Sequence, residues 1–495
     1  MNSFDENAFG KNDIRGIVGK SVTPELFELV GRAYAKYIME KCSVYAGDKD
    51  ELWVSVAQDA RFHSPELADA LIEGLRLSGV NVLDIGLCPT PLAYFSEYLN
   101  LRKEKVGNLV GTLIITASHN PPEYNGIKMT FKKSTLSEQE IVQIKEIAKT
   151  IKPVDFPNTG IYQKFNIVSE YINAVVNSFS NIGKGIKIVV DSANATGGVV
   201  APQLYRDLGC EVIDIFTEPD GRFPNHHPNP SDEKTLISLK QKIKETGADF
   251  GIAFDGDSDR VGIVDNTGYS IPGDQLLLIF ALDILSQLKQ RNEKPVFISE
   301  VKCSQLLFDL IDQNGGQAIM WKTGHAYIKS KMKEENAILA GEMSGHIFFR
   351  DRYYGYDDAI YAGCRFIEIM AKNKLNDSDF KASDLIDSLP KTYTSREVRI
   401  PCPNELKAKV LKSLKDKINR NPDLFGAKIE KIITIDGLRV VFKDGFALIR
   451  QSNTEPTFTL RFEAGSQKNL DMYKDSMLKI LDKKLESLKT KILLT

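Results

Sequence analysis

Apolar and polar segments follow the same order at three places along the chain. Trp53–Ala57 is an apolar run ending in the polar pair Gln58-Asp59. An amphipathic stretch, Pro65 to Leu77, follows, then Ser78-Gly79, then a second apolar run, Val80–Ile85. The order recurs as Ile186–Val190, Asp191, Pro202–Leu208, Gly209 and Cys210–Phe216. It recurs again as Val296–Ser299, Glu300, Cys303–Gln313, Gly315-Gly316 and Gln317–Trp321. Each unit predicts strand, polar loop, helix, glycine stop, strand. A helical crossover sets the two strands parallel and covers the sheet. The expectation is three related α/β domains of mixed sheets.

Beyond Ser395 the pattern changes. A Lys-rich helix is predicted over Glu405–Ile418. Val440-Val441-Phe442 and Phe446–Ile449 flank Lys443-Asp444-Gly445 and read as a hairpin around an Asp-Gly turn. Thr457–Phe462 reads as a further strand and Leu470–Leu488 as a last amphipathic helix, giving a smaller C-terminal α+β domain. Candidate linkers lie at Lys152–Gly160, Asp265–Gly273 and Asn376–Pro390. They divide the chain into domains 1–160, 161–267, 268–383 and 384–495. The longest apolar run, Leu276–Leu282, stops at Asp283, too short to span a bilayer, and reads as a buried helix.

Composition narrows the function classes. Of 495 residues, 42% are apolar and 26% charged, which excludes a disordered chain, a collagen and a disulfide scaffold. Lys plus Arg number 64 and Asp plus Glu 66, a formal charge of −2. So balanced a chain has no global attraction for nucleic acid or acidic membranes, and any anion must be held by a local cluster. The six cysteines (Cys42, Cys88, Cys210, Cys303, Cys364, Cys402) form no CxxC pair, which speaks against a zinc site and suits a reducing cytosol. Met1–Gly10 carries Asp5 and Glu6 and no apolar core, so it does not read as a signal peptide. A cytoplasmic location is expected.

Four loops could carry chemistry. Thr116-Ala117-Ser118-His119-Asn120-Pro121-Pro122 follows the apolar Leu113-Ile114-Ile115, and Asn125-Gly126 precedes Lys128. Prolines and Asn-Gly make the loop rigid, and the carboxyl end of a strand is where open α/β sheets place their sites. Ser118 is presented there beside His119. Adjacent Ser and His are not a hydrolase dyad, and no Gly-x-Ser-x-Gly elbow is present. The second loop, Asp255-Gly256-Asp257-Ser258-Asp259-Arg260, lies between two strand-like runs. Three alternating carboxylates repel unless a hard divalent cation takes their oxygens. An EF-hand is excluded, since its sixth position would be Arg260 and its twelfth Asn266. Too few carboxylates are present for an all-protein cage, so water or phosphate must complete it, as Mg²⁺ prefers.

The third loop, Gly341-Glu342-Met343-Ser344-Gly345-His346, offers donors and acceptors suited to sugar hydroxyls. The fourth, Arg450-Gln451-Ser452-Asn453-Thr454-Glu455-Pro456, offers a guanidinium fork and neutral donors for phosphate, with Arg461 on the next strand. Asp13-Ile14-Arg15-Gly16, Lys302 and Lys322-Thr323-Gly324-His325 are lesser signals. His226-His227 reads as part of a surface loop.

Taken together and in this order, the four loops resemble the α-D-phosphohexomutase superfamily over essentially the whole chain. Met343-Ser344-Gly345-His346, followed by Phe348-Phe349 and Tyr354-Gly355-Tyr356-Asp357-Asp358, is similar to its bacterial phosphomannomutase/phosphoglucomutase branch. Phosphoglucosamine mutases usually have Gln where Met343 stands. The resemblance implies four domains around a central cleft and a phosphoryl group carried on Ser118. It implies Mg²⁺ held by Asp255, Asp257, Asp259 and the phosphoserine, with His119, Lys128 and Arg260 flanking the transfer. Glu342, Ser344 and His346 would read sugar hydroxyls. Arg450, Ser452, Asn453, Thr454 and Arg461 would hold the unreacting phosphate, with Arg15, Lys302 and His325 as further contacts. The implied reaction interconverts hexose 6-phosphate and hexose 1-phosphate through a hexose 1,6-bisphosphate, with small phosphosugars as partners and a monomer or homodimer as the assembly. The family's N-terminal loop often reads Tyr-Asp-Ile-Arg-Gly; here Asn12 replaces the tyrosine. Phosphoglucosamine mutase, a metal-dependent sugar phosphatase and a non-catalytic sugar-phosphate sensor are the competing readings.

Overall fold

A computed structural model describes residues 2–42, 52–152, 159–288, 294–452 and 456–492. The chain divides into two compact units, Met1–Leu276 with Ser344–Leu385, and Leu277–Met343 with Ile386–Thr495.

The first unit holds two mixed sheets. In the N-terminal one, Leu52–Gln58 runs parallel to both Asn81–Leu87 and Asn108–Ile115, as the strand–helix–strand order requires. Tyr124–Phe131 then turns back antiparallel between Asn108–Ile115 and Ile14–Ile17. Val54, Val56, Leu113, Ile115 and Ile127 face helices Pro24–Cys42 and Ser64–Leu77 in one core. Those helices touch backbone to backbone at two glycines. A Cβ on Gly31 would fall 2.4 Å from the Leu71 carbonyl oxygen, and one on Gly74 2.1 Å from that of Glu28. Helix Glu138–Thr150 starts at a capping box of Ser137 and Glu140.

In the second sheet, Lys187–Asp191 runs parallel to Glu211–Ile215 and Phe250–Phe254. Val261–Asp265 pairs antiparallel with Phe250–Phe254. The acidic loop is therefore the turn of a tight hairpin whose strands are buried throughout. The third repeat lies in the second unit, where Val296–Glu300 runs parallel to Gln317–Trp321 and Leu339–Gly341.

The C-terminal sheet of the second unit is antiparallel: Thr457–Ala464 pairs with Gly445–Gln451, which pairs with Leu438–Phe442. Helices Asn404–Arg420 and Gln467–Ile492 contribute Val410, Leu414, Tyr473 and Met477 to its core. The hairpin differs from the expected Asp-Gly turn. Phe442 pairs with Gly445, so Lys443 and Asp444 make the turn, neither with positive φ. Gly445 is needed for another reason: a Cβ there would fall 1.9 Å from the Glu463 carbonyl oxygen on the neighbouring strand. The Asn376–Pro390 stretch is not plain linker, since it contains helix Ala382–Asp387. Residues 153–158 of the first expected linker lie outside the described part. Among the described residues no helix is long and apolar enough to cross a membrane.

Candidate active site

Strand Asn108–Ile115 delivers Ser118 into a buried turn, with φ at +51°. An L-residue holds that left-handed conformation at a cost of about 1–2 kcal/mol, so the surroundings must fix it. The Ser118 N–H donates to Thr116 Oγ1 (2.8 Å), which itself donates to Asp59 Oδ2 (2.9 Å). The Ser118 hydroxyl donates to Asp255 Oδ2 at 2.7 Å and lies 3.2 Å from His119 Nδ1. Gly256 permits this approach: a Cβ there would fall 2.2 Å from the Ser118 carbonyl oxygen.

Asp255, Asp257 and Asp259 are fully buried, and each offers an oxygen within 4.8 Å of the others. Burial, then the charges of Asp259 and Asp257, push Asp255 up to about 8. Burial alone would raise Asp259 too, but Lys128 and His346 hold it below its ordinary value. Asp257 Oδ1 and Asp259 Oδ1 are buried with no hydrogen-bond partner among the described residues. Orphaned carboxylate oxygens are costly in a protein interior, and they are the donors a hard divalent cation takes. This donor set fits a metal.

Cations surround the carboxylates. Lys128 Nζ lies 2.5 Å from Asp257 Oδ2 and 2.5 Å from Asp259 Oδ2, and the Thr90 hydroxyl donates to the same Asp257 oxygen. The Arg260 N–H donates to Asp255 Oδ1 (3.1 Å), and its Nε donates to His346 Nε2 (3.0 Å). That bond puts the imidazole proton of neutral His346 on Nδ1, which faces Asp357 Oδ2 at 3.1 Å. Arg15 donates to Asn120 Oδ1 (2.9 Å) and pairs with Asp13. The charge of Arg260, then burial, drive His119 down to about 2, so its imidazole is neutral. Ser344 belongs to the same unit, and its carbonyl accepts from the Ser231 hydroxyl.

The second unit gathers other expected residues around three carboxylates. Glu300, fully buried at the end of strand Val296–Glu300, accepts from the Thr323 hydroxyl and the Met343 N–H (2.9 Å), and lies 3.4 Å from Lys302 Nζ. Glu342 accepts from the Gly324 N–H at 2.5 Å, just before helix His325–Glu334. Asp436 accepts from Arg450 Nε and from the Thr323 N–H, each at 3.2 Å. Arg461 donates to the Lys302 carbonyl (2.5 Å), and Lys407, buried, donates to the Ser452 carbonyl (2.9 Å). Asn453 and Thr454 lie outside the described residues.

Several of these groups were missed in the sequence. Asp59 and Arg61 follow a central strand, where the strand-end rule could have found them. Glu300, Asp436 and Lys407 carried no motif. His226, expected on a surface loop, is half-buried and lies 3.0 Å from Asp191.

Four family models match in succession: phosphoglucomutase/phosphomannomutase alpha/beta/alpha domain I over residues 6–155, domain II over 169–268, domain III over 272–393, and the C-terminal domain over 397–480. A phosphomannomutase/phosphoglucomutase of Pseudomonas putida is 42% identical over 96% of this chain and 95% of its own. A phosphoglucomutase of Neisseria meningitidis is 39% identical over 97% and 98%. The crystal structure of a phosphoglucomutase/phosphomannomutase family protein from Burkholderia thailandensis superposes with a TM-score of 0.87 at 35% identity, covering 97% of this chain and 98% of that one. With all four models matched in order and relatives of this identity spanning nearly its full length, the chain belongs to the phosphoglucomutase/phosphomannomutase family.

Proposed function

We propose that this mutase interconverts the 6- and 1-phosphates of mannose and glucose, with Ser118 as its phosphoryl carrier. The observation that carries this reading is the hydroxyl of Ser118 hydrogen-bonded to Asp255 among three buried carboxylates. In the first half-reaction a sugar hydroxyl oxygen bonds to phosphorus, the bond from phosphorus to Ser118 Oγ breaks, and the hydroxyl proton ends on Ser118 Oγ. The bisphosphosugar turns over, and the reverse exchange at its other end recharges Ser118. Such transfers need positioning and charge neutralisation more than covalent help from the protein.

Asp255, Asp257 and Asp259 would hold a divalent cation, Mg²⁺ by our reading, which supplies Lewis-acid neutralisation of phosphoryl oxygens. Lys128 and Arg260 bring positive charge to the same place. His119, 3.2 Å from Ser118 Oγ, flanks the transfer as a neutral imidazole. Arg15 orients the serine loop through Asn120. Glu342, Ser344 and His346 read sugar hydroxyls. Arg450, Ser452, Asn453, Thr454 and Arg461 grip the idle phosphate, with Lys302 and His325 beside them. The domains are read as 1–160, 161–267, 268–383 and 384–495, and the free cysteines fit a cytoplasmic setting.

Intact-protein mass spectrometry with hexose 1,6-bisphosphate tests the carrier. The expected result is one phosphoryl group on wild type and none on Ser118→Ala, which also loses turnover while keeping its fold. Equal activity of the two proteins would end the reading. Rates on mannose, glucose and glucosamine 1-phosphates assign the sugar, and inorganic phosphate released as fast as isomerisation would favour a phosphatase.

A further inference from the structure

Arg61 follows the central strand Leu52–Gln58 and is 1% exposed. Its Nε donates to Asp59 Oδ2 at 3.0 Å. Nη1 donates to the carbonyl oxygens of Pro121 (2.6 Å) and Tyr124 (3.1 Å), and Nη2 to those of Ser118 (2.9 Å) and Asn120 (2.6 Å). A guanidinium has five N–H donors in one plane, and all five are used here. Four of their acceptors are backbone oxygens of a single loop, two before the proline pair, one on its first proline and one after it. Asp59, the fifth, also accepts from Thr116 Oγ1, which in turn accepts from the Ser118 N–H. Both peptide groups that bound Ser118 are thus fixed, one through Thr116 and one directly by Arg61. The ring of Phe223 lies 5.4 Å from the guanidinium carbon.

The geometry points to Arg61 as a positioning residue for phosphoryl transfer. It holds the left-handed Ser118 so that Oγ faces the carboxylates, and it does so by its fork rather than by its charge. This rests on Ser118 being the carrier. A fork of five donors cannot be copied by an ammonium with three, so Arg61→Lys keeps the charge and loses the hold. Among the described residues, none of the groups expected to read the sugar or grip the idle phosphate receives a hydrogen bond from Arg61, whose five donors are all engaged elsewhere, so substrate affinity is spared.

The test compares wild type with Arg61→Lys and Arg61→Gln, measuring thermal melts, kcat, KM and the rate of phosphoserine formation from hexose 1,6-bisphosphate. For folded Arg61→Lys, kcat and the charging rate are expected to fall about 100-fold while KM stays within about threefold. A folded Arg61→Lys with kcat and charging within about threefold of wild type would overturn the assignment. Loss of the cooperative melt in both variants would make Arg61 a scaffold residue and overturn it equally. Failure of the wild type itself to take up phosphate would instead remove the carrier reading on which the inference rests.

Discussion

Lys128 Nζ stands 2.5 Å from Oδ2 of Asp259, an ammonium and a carboxylate both buried and 131 positions apart in the chain. Asp257 accepts from the same ammonium. Burial alone would lower Lys128, but Asp257 and Asp259 outweigh it and hold it well above its ordinary value. Removing the cation leaves buried carboxylates uncompensated, which costs about 3–5 kcal/mol. Lys128→Met should therefore melt lower than wild type and lose most of its kcat. Saturating Mg²⁺ should raise its melting temperature more than it raises that of wild type, because the cation takes over the missing charge. Equal Mg²⁺ shifts in the two proteins would show that the lysine does not share the carboxylates' charge.

The contact at Gly256 predicts a second effect. A methyl group there meets the Ser118 carbonyl oxygen, a backbone atom that cannot swing aside. Gly256→Ala should push the acidic loop away from the serine and lower kcat about 100-fold, the usual cost of misplacing reacting groups by about an ångström. Its far-UV circular dichroism should match wild type. A folded Gly256→Ala with wild-type kcat would show that the two loops separate without consequence.

Glu300 carries a third prediction. Its two oxygens hold the Thr323 hydroxyl and the Met343 N–H, one on each of two loops expected to meet the sugar phosphate. Glu300→Gln removes the charge and leaves one acceptor: its amide oxygen can keep the Met343 N–H, but its NH2 cannot accept from the Thr323 hydroxyl, which must turn to accept instead. Hydrogen bonds to a charged group contribute about 1.5–3 kcal/mol, so kcat/KM should fall about 10- to 100-fold. The loss should appear mainly in KM, because these loops bind rather than react. A kcat loss at constant KM would mean that Glu300 acts on the transfer step.

The repeat of strand, loop, helix and strand was legible because apolar periodicity and glycine stops are local signals. Lys187–Asp191 with Glu211–Ile215 and Val296–Glu300 with Gln317–Trp321 pair parallel, as that order demands. The serine and acidic loops were legible because their chemistry needs unusual residues close together in sequence. Arg61, Glu300 and Asp436 were not, because each acts on backbone groups or side chains brought near only by the fold. An arginine that caps four carbonyls leaves no pattern in the loop it holds, since every residue has a carbonyl. The Lys443–Asp444 turn was misplaced by one residue because Gly445 has a second use, the close approach of Glu463.

His226 gives the last prediction, from the loop whose burial the sequence did not reveal. Its Nε2 lies 3.0 Å from Asp191 Oδ2 and its Nδ1 3.0 Å from the His227 carbonyl oxygen. Ionised Asp191 and the carbonyl are acceptors only, so both ring nitrogens donate only in the imidazolium form. Burial alone would lower its pKa, but the hydrogen bond and charge of Asp191 and the His227 carbonyl leave it raised. A pKa higher in the folded than in the unfolded chain means stability fully present below about pH 6.5 and lost as pH rises through the folded value. His226→Asn keeps a donor for Asp191 but cannot titrate. The gap in melting temperature between wild type and His226→Asn should be widest below about pH 6.5 and narrow as the pH rises through the raised folded value. Thermal melts of both proteins across that range check it, with the difference cancelling every other titrating group. A gap constant with pH would mean that the His226–Asp191 contact holds without a charged imidazole.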